Sequence, residues 1–168
     1  MTAAHADPAT TLFPLARADE LARDIEAVAI SGDHVDRNPL WTRPGILRRI
    51  AARAAEAMPA GVDRVVGHEQ DLALVTAVSL HSGVPFAVVD GDLEIRGELY
   101  PAETVVAVRT CSTSDSARML KAALQRQVHV AKMVTVVEVE PPADLPSETD
   151  HCPLFRLRDG RLHPGDER

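Results

Sequence analysis

Between residues 62 and 141 the apolar pattern keeps changing period, and this restricts the fold more than any other feature of the chain. The runs "VDRVVG", "VPFAVV", "TVVAV" and "VAKMVTVVEVE" are short, rich in β-branched residues and bounded by turn formers, which predicts strands. Between the first and second lies "DLALVTAVSLHSG", and between the third and fourth "DSARMLKAALQRQ", both of helical length. Strands that alternate with helices form βαβ units, and such units build a parallel sheet. The nearly unbroken valine of the strand interiors fits burial on both faces, so helices should cover both sides. The predicted class is α/β, with a mostly parallel twisted sheet flanked by helices.

The flanking segments fit around this unit. Leu21, Ile25 and Val28 share helical spacing within residues 15–30. "SGDHVDRNPLW" then reads as a loop or short irregular strand, broken by Gly32 and Pro39. "RPGILRRIAARAAEAM" is an amphipathic helix with Ile46, Leu47, Ile50, Ala54 and Ala57 on one face and arginines on the other. "DGDLEIRGELYPAE" reads as a turn with a hairpin around Asp90-Gly91-Asp92. After the proline-rich "PPADLP", the segment "CPLFRLRDGRL" predicts a short edge strand with an Asp159-Gly160 turn. The expected organisation is a disordered leader over 1–11, one domain over 12–160 and a tail over 161–168. A length of 168 residues suits one domain with a sizeable core.

Composition excludes several function classes. A net charge of -7 argues against wrapping nucleic acid or an anionic membrane surface. No window reaches the ~18 apolar residues a membrane span needs, and the first residues lack the pattern of a signal peptide. Two cysteines, Cys111 and Cys152, form neither a disulfide framework nor a zinc pattern, so a reducing, cytoplasmic setting is expected.

In an open parallel sheet, ligands sit beyond the carboxyl ends of the strands. Two of those ends carry unusual polar loops: "GHEQD" after the first strand and "RTCSTSD" after the third. The second belongs to "VVAVRTCSTSDSARML", an apolar strand, a small polar loop and the opening of a helix. Such a layout can hold an anion, because the free N–H groups and the dipole at a helix N-terminus favour negative charge. A pocket, if the chain has one, should lie between these loops.

The order and spacing from about residue 27 to residue 140 resemble a type I phosphoribosyltransferase, most of all the orotate phosphoribosyltransferases. The likeness is carried by "SGDHVD" with "LWTRPGILRRIA", by "VDRVVGHEQDLALVTAVSLHSGVPFAVV", by the strand-loop-helix segment just quoted, and by "PLFRL" near the C-terminus. It implies a single-domain phosphoribosyltransferase-like fold that homodimerises and takes a small-molecule substrate. In that family two acidic residues end the strand and hold the ribose hydroxyls of phosphoribosyl pyrophosphate, and a T-T-G-G-S/T loop cradles the 5′-phosphate.

The scaffold positions match and the chemical positions do not. The acidic pair becomes Arg109-Thr110, the two threonines become Thr113 and Ser114, and the two glycines become Asp115 and Ser116. Arginine cannot accept hydrogen bonds from hydroxyls. A carboxylate at Asp115 would face the phosphate, and like charges ~4 Å apart repel by about 4 kcal/mol at an effective dielectric of 20. The family's glycine pair in the first loop becomes "HEQDLA", which adds Glu69 and Asp71. The family's mobile loop carries a catalytic lysine. Here the corresponding residues 90–103 contain none, and the chain's two lysines, Lys121 and Lys132, fall in a predicted helix and strand. Arg96 is the basic residue there, and His34 takes the place of a base-recognition tyrosine.

The candidate catalytic residues are therefore His68, Glu69, Asp71, Cys111 and Asp115. The candidate substrate-binding residues are His34, Asp36, Arg109, Ser112, Thr113, Ser114 and Ser116. Each has an alternative. Asp71 can cap the helix that follows it, Cys111 can be a buried filler, and Arg109 can pair with Glu69, Asp71 or Asp115. The serines and threonines can cap a helix, and His34 and Asp36 can be surface turn residues. No metal site is expected. Three readings of function follow: acid/base chemistry on a small polar metabolite (cyclisation, dehydration, isomerisation or hydrolysis), a genuine transferase using the phosphoribosyl donor with magnesium held by Glu69 and Asp71, or a non-catalytic sensor or partner subunit. The first needs no cofactor.

Overall fold

The computed structural model describes residues 18–112 and 116–165. Thr113, Ser114, Asp115 and the expected leader over 1–11 lie outside the described residues. The elements run α1 (Ala18–Ala29), β1 (Ile30–Ser31), β2 (His34–Val35), α2 (Asn38–Trp41), α3 (Pro44–Glu56), β3 (Arg64–His68), a 3₁₀ turn (Glu69–Asp71) and α4 (Leu72–Ser82). They continue with β4 (Phe86–Val89), β5 (Ile95–Arg96), β6 (Thr104–Ser112), α5 (Ser116–Leu124), β7 (His129–Glu138), β8 (Asp150–Arg158) and β9 (Arg161–Pro164).

Seven strands form one sheet in the order β5-β4-β3-β6-β7-β8-β9. The five inner strands are parallel, and the two edges, β5 and β9, are antiparallel to their neighbours. Strand side chains alternate between two cores. Val65, Val106, Val108, Val134 and Phe155 face a core shared with α1, α3 and α4, through Leu21, Ile25, Ile46, Ile50, Leu74, Val75 and Val78. Val66, Val105, Ala107 and Met133 face a second core with Met119, Leu120 and Ala123 of α5. Helices on both faces are thus required by the sequence and present in the fold.

Gly67 shows how closely α4 lies on β3. A Cβ built there would sit 2.1 Å from Val75 Cγ2 and 3.3 Å from the carbonyl oxygen of Val108. Gly83, at φ +74°, ends α4 in the left-handed conformation that glycine adopts without penalty.

The C-terminal segment departs from expectation in two ways. β8 is an interior strand of nine residues paired in parallel with β7, not a short edge. The edge is β9, joined to β8 through Asp159 and Gly160, both at positive φ as a tight hairpin turn demands. The tail expected from 161 is consequently strand as far as Pro164. "SGDHVDRNPLW" also holds more order than a loop: β1 and β2 pair antiparallel and lead into the single turn of α2.

Candidate functional site

The site is built by a mismatch in strand length. β3 pairs with β6 only as far as Gly67 opposite Val108, whereas β6 continues beside β7 to Ser112 opposite Glu138. On the β3 side, the last residues of β6 have no strand to bond to. The chain leaving β3 turns through Glu69–Asp71 and sets the Asp71 carboxylate against that open edge. Asp71 Oδ1 accepts from the Thr110 backbone N–H at 3.3 Å and from the Thr110 hydroxyl, and Oδ2 accepts from Arg109 Nε at 2.9 Å. Asp71 is wholly buried, as is Thr110, and Arg109 is 8% exposed. A buried ion pair survives only where hydrogen bonds satisfy its remaining donors and acceptors, and Thr110 supplies them.

This pair ties the chain that leaves β3 to the last residues of β6. Asp71 sits at the head of α4 without capping it, since no hydrogen bond to the helix comes from its side chain. It is unavailable as a proton carrier facing a substrate, because both oxygens are turned inward and engaged. Arg109, the candidate clamp for a substrate anion, is held by Asp71.

Burial pushes the Cys111 thiol up to about 11, and the neighbouring Asp71 charge adds to the rise, while Arg37 and Arg109 oppose it. A thiol in that condition stays protonated near neutral pH and is a poor nucleophile. Ser112 is buried and donates its hydroxyl to the Glu140 carbonyl oxygen. Ser116 is buried as the first residue of α5.

His68 and Glu69 keep accessible chemistry. His68 is half-buried, and its Nδ1 accepts from the Gln70 backbone N–H at 3.2 Å, so the neutral ring carries its proton on Nε2. Glu69 is exposed, and its Oε1 accepts from the Gly91 N–H at 3.1 Å. That bond latches the loop after β3 to the turn after β4. The turn is ordered by Asp90, whose Oδ1 accepts from the N–H groups of Asp92 and Glu94 and whose Oδ2 accepts from Arg96 Nε at 2.9 Å. Arg96, the basic residue where the resembled family carries lysine, is therefore tied to Asp90.

The N-terminal segment completes the site from the side. His34 is exposed, and Asp36 Oδ1 accepts from Asn38 N–H at 3.0 Å. With Val35, Arg37, Asn38, Trp41 and Gln70 they line an open depression of about 460 Å3. Three participants were not singled out from sequence. Arg37 donates to Gln70 Oε1 at 3.0 Å and lies 3.8 Å from Asp71 Oδ1, and Thr110 completes the burial of Asp71. The available signal was charge: "HVDR" offers one arginine to the acidic "HEQD". The magnesium reading does not fit these residues, because a carboxylate locked onto Arg109 and Thr110 cannot share an ion with exposed Glu69.

Comparisons with solved structures give the same architecture. Orotate phosphoribosyltransferase of Mycobacterium tuberculosis H37Rv, in complex with 5-phospho-alpha-D-ribosyl 1-diphosphate, superposes with a TM-score of 0.71 at 20% identity, over 90% of this chain and 94% of that one. The chain has the type I phosphoribosyltransferase fold. Adenine phosphoribosyltransferase from Rhodothermus marinus DSM 4252 gives 0.70 at 14% identity, covering 83% of this chain and 99% of that one. UMP synthase of Leishmania donovani gives 0.67 at 17% identity over 85% of this chain, which spans only 37% of that longer protein. No protein-family model matches the sequence, and no curated protein matches it. Among the described residues, no helix is long and apolar enough to cross a membrane.

Proposed function

We propose that this phosphoribosyltransferase scaffold has exchanged its donor site for acid/base chemistry on a small polar metabolite. The observation that supports this is the Arg109–Asp71 pair, an internally neutralised contact made by the arginine that the resemblance aligns, with Thr110, to the family's ribose-binding acids. A donor with several negative charges would meet a buried arginine already paired, and no acidic pair to receive its hydroxyls. Of the candidate residues, Glu69 and His68 retain groups that can exchange a proton with a ligand: Glu69 Oε2 as base and His68 Nε2–H as acid. Asp115 lies outside the described residues and is not assigned a part. The reaction class remains proton transfer without a cofactor, in a cytoplasmic enzyme.

The test is to incubate the purified protein with a polar metabolite extract and follow it by mass spectrometry. Wild type should convert a component that Glu69→Gln leaves untouched. Parallel incubation with phosphoribosyl pyrophosphate and magnesium should give neither thermal stabilisation nor pyrophosphate. Release of pyrophosphate, or equal turnover by Glu69→Gln, ends this reading.

A second reading, a non-catalytic sensor or partner subunit, is favoured by the closure of Asp71 and Cys111. It predicts ligand binding with no conversion of any component. In either case the working unit is proposed to be a homodimer. α4 exposes Leu72 (46%) and Leu80 (80%) on a helix with no Asp, Glu, Lys or Arg, and such a surface favours contact with another protein. Light scattering should show a dimer that Leu80→Asp dissociates.

A further inference from the structure

A second cavity lies at the amino ends of the strands, at the opposite end of the sheet from Glu69, Asp71 and Arg109. Its volume is about 480 Å3, within the range of small-molecule sites. Three stretches of chain meet around it: Ala102 just before β6, the first residues of β7, and the residues that lead into β8. Thr104, at the start of β6, is five residues from Arg109, roughly 17 Å at about 3.3 Å per residue. A small ligand bound here touches nothing in the cleft.

Hydrogen bonds frame the cavity from all three stretches. The Ala102 N–H donates to the Gln127 carbonyl oxygen at 2.8 Å, and the His129 N–H to that of Glu103 at 2.9 Å, so the approach to β6 is joined to the start of β7. The buried Thr149 hydroxyl donates to the Val130 carbonyl oxygen at 2.9 Å, which ties the approach to β8 to the same strand. The walls are therefore in place before any ligand arrives, and no ordering of chain is needed to bind one.

The lining suits a ligand with one apolar part and one positive charge. Val128 and Val130 are buried, Leu124 is half-buried, and together they supply apolar surface. The titratable groups in the lining are His129 and Glu148, both exposed. Among the described residues, no donor is bonded to the Glu148 carboxylate. α5 ends in the cavity wall at Leu124, and the carbonyl end of a helix carries about half a negative charge. Lys121 and Arg126, the nearest cations in sequence, do not line the cavity. Two independent sources of negative potential thus converge on a space with an apolar wall.

We infer that this cavity binds a small organic ammonium ligand, with the charge on the Glu148 carboxylate and the apolar body against Val128, Val130 and Leu124. The site is separate from the proposed acid/base cleft and stands or falls independently of it.

The probes are benzylammonium, its neutral isostere benzyl alcohol, and benzoate. Each is titrated into the full-length protein at about pH 8, where an imidazole is ordinarily neutral, and followed by amide chemical shifts. Benzylammonium should move the amides of residues 127–130 and 147–149 saturably in the millimolar range, with benzyl alcohol clearly weaker and benzoate weaker still. Glu148→Gln should weaken benzylammonium by about tenfold, the usual consequence of losing a charged hydrogen bond, and bring it to the level of benzyl alcohol. Glu148→Asp restores a carboxylate and should keep most of the affinity. Position 148 is exposed, so both variants should fold, which the unchanged remainder of the amide spectrum checks. Absence of a saturable response at these amides in wild type overturns the assignment. So does equal binding of benzyl alcohol or benzoate, undiminished binding by Glu148→Gln, or shifts of the same size at residues 68–71, which would mark general association with acidic surface.

Discussion

Replacing Asp71 with alanine should be among the most damaging single substitutions in the molecule. The variant leaves Arg109 buried and unpaired, and strips the Thr110 N–H and hydroxyl of their acceptor. Breaking a buried ion pair by removing one partner costs about 3–5 kcal/mol, and an orphaned buried donor about 1–3 kcal/mol. The two overlap, because the same rearrangement relieves both, so a loss of about 4 kcal/mol is expected. For a domain of this size, that corresponds to a midpoint lowered by roughly 8–16 °C. It is a large part of the ~5–15 kcal/mol that holds an ordinary domain folded. Arg109→Met should cost less, because Arg37 and Thr110 still attend the carboxylate. The double variant Asp71→Leu/Arg109→Met should recover much of the loss, since a buried pair exchanged for apolar groups of similar volume is often close to neutral. Urea titration followed by far-UV circular dichroism, applied to wild type, Asp71→Leu, Arg109→Met and the double variant, measures all four corners of the cycle. If Asp71→Ala costs under about 1 kcal/mol, the range of exposed pairs, or if the two substitutions simply add, the pair does not do what its burial implies.

Three further outcomes follow from the same structure. The Cys111 thiol, pushed up to about 11 by burial, should alkylate slowly with iodoacetamide at pH 8 and faster as pH approaches that value. Rapid labelling of Cys111 at pH 7 in the native protein contradicts this. Gly67→Ala drives a methyl into Val75 and should cost about 1–3 kcal/mol as overpacking. Gly45→Ala, with open space around it, should instead stabilise α3 by about 0.4–1 kcal/mol, so equal effects at the two glycines would be a failure. Burial holds the His151 imidazole below its ordinary range, with Glu138 opposing and Arg156 reinforcing the shift. The unfolded chain then takes up this proton first. Its contribution is therefore present above about pH 6.5, and is lost as pH falls below that toward the depressed native value. His151→Gln should flatten the fall in urea midpoint between pH 7 and pH 5, and an unchanged slope refutes the assignment.

Local pattern was enough for the sheet, because valine runs and helical spacing are properties of neighbours in sequence. It misjudged β6 and β8 for a shared reason. Arg109, Thr110 and Ser112 read as loop, yet β7 runs alongside them and keeps them in the ladder to Ser112 opposite Glu138. "CPLFRLR" read as an edge, yet the crossover from β7 returns it to the interior and leaves β9 outside. Long-range pairing overrode local polarity in both cases. The loops bearing the candidate chemistry were legible from composition. The direction in which Asp71 points was not, because it depends on β6 outrunning β3, a difference in length between strands some forty residues apart.

That difference also explains why Arg109 and Asp71 belong together. An arginine at 109 with no acid at 71 would be a buried cation without a partner, and an aspartate at 71 with no arginine at 109 would lose its strongest bond. Each is tolerable because of the other. An acidic residue introduced at position 109 alone would accordingly find no partner. It would set a second carboxylate beside buried Asp71, with mutual repulsion of about 4 kcal/mol at an effective dielectric of 20, in a place Arg109 now neutralises. The Asp71 carboxylate would have to go at the same time, along with the bond it gives to the free edge at Thr110. The pairing of Arg109 with Asp71 is thus held in place by the stability of the sheet itself.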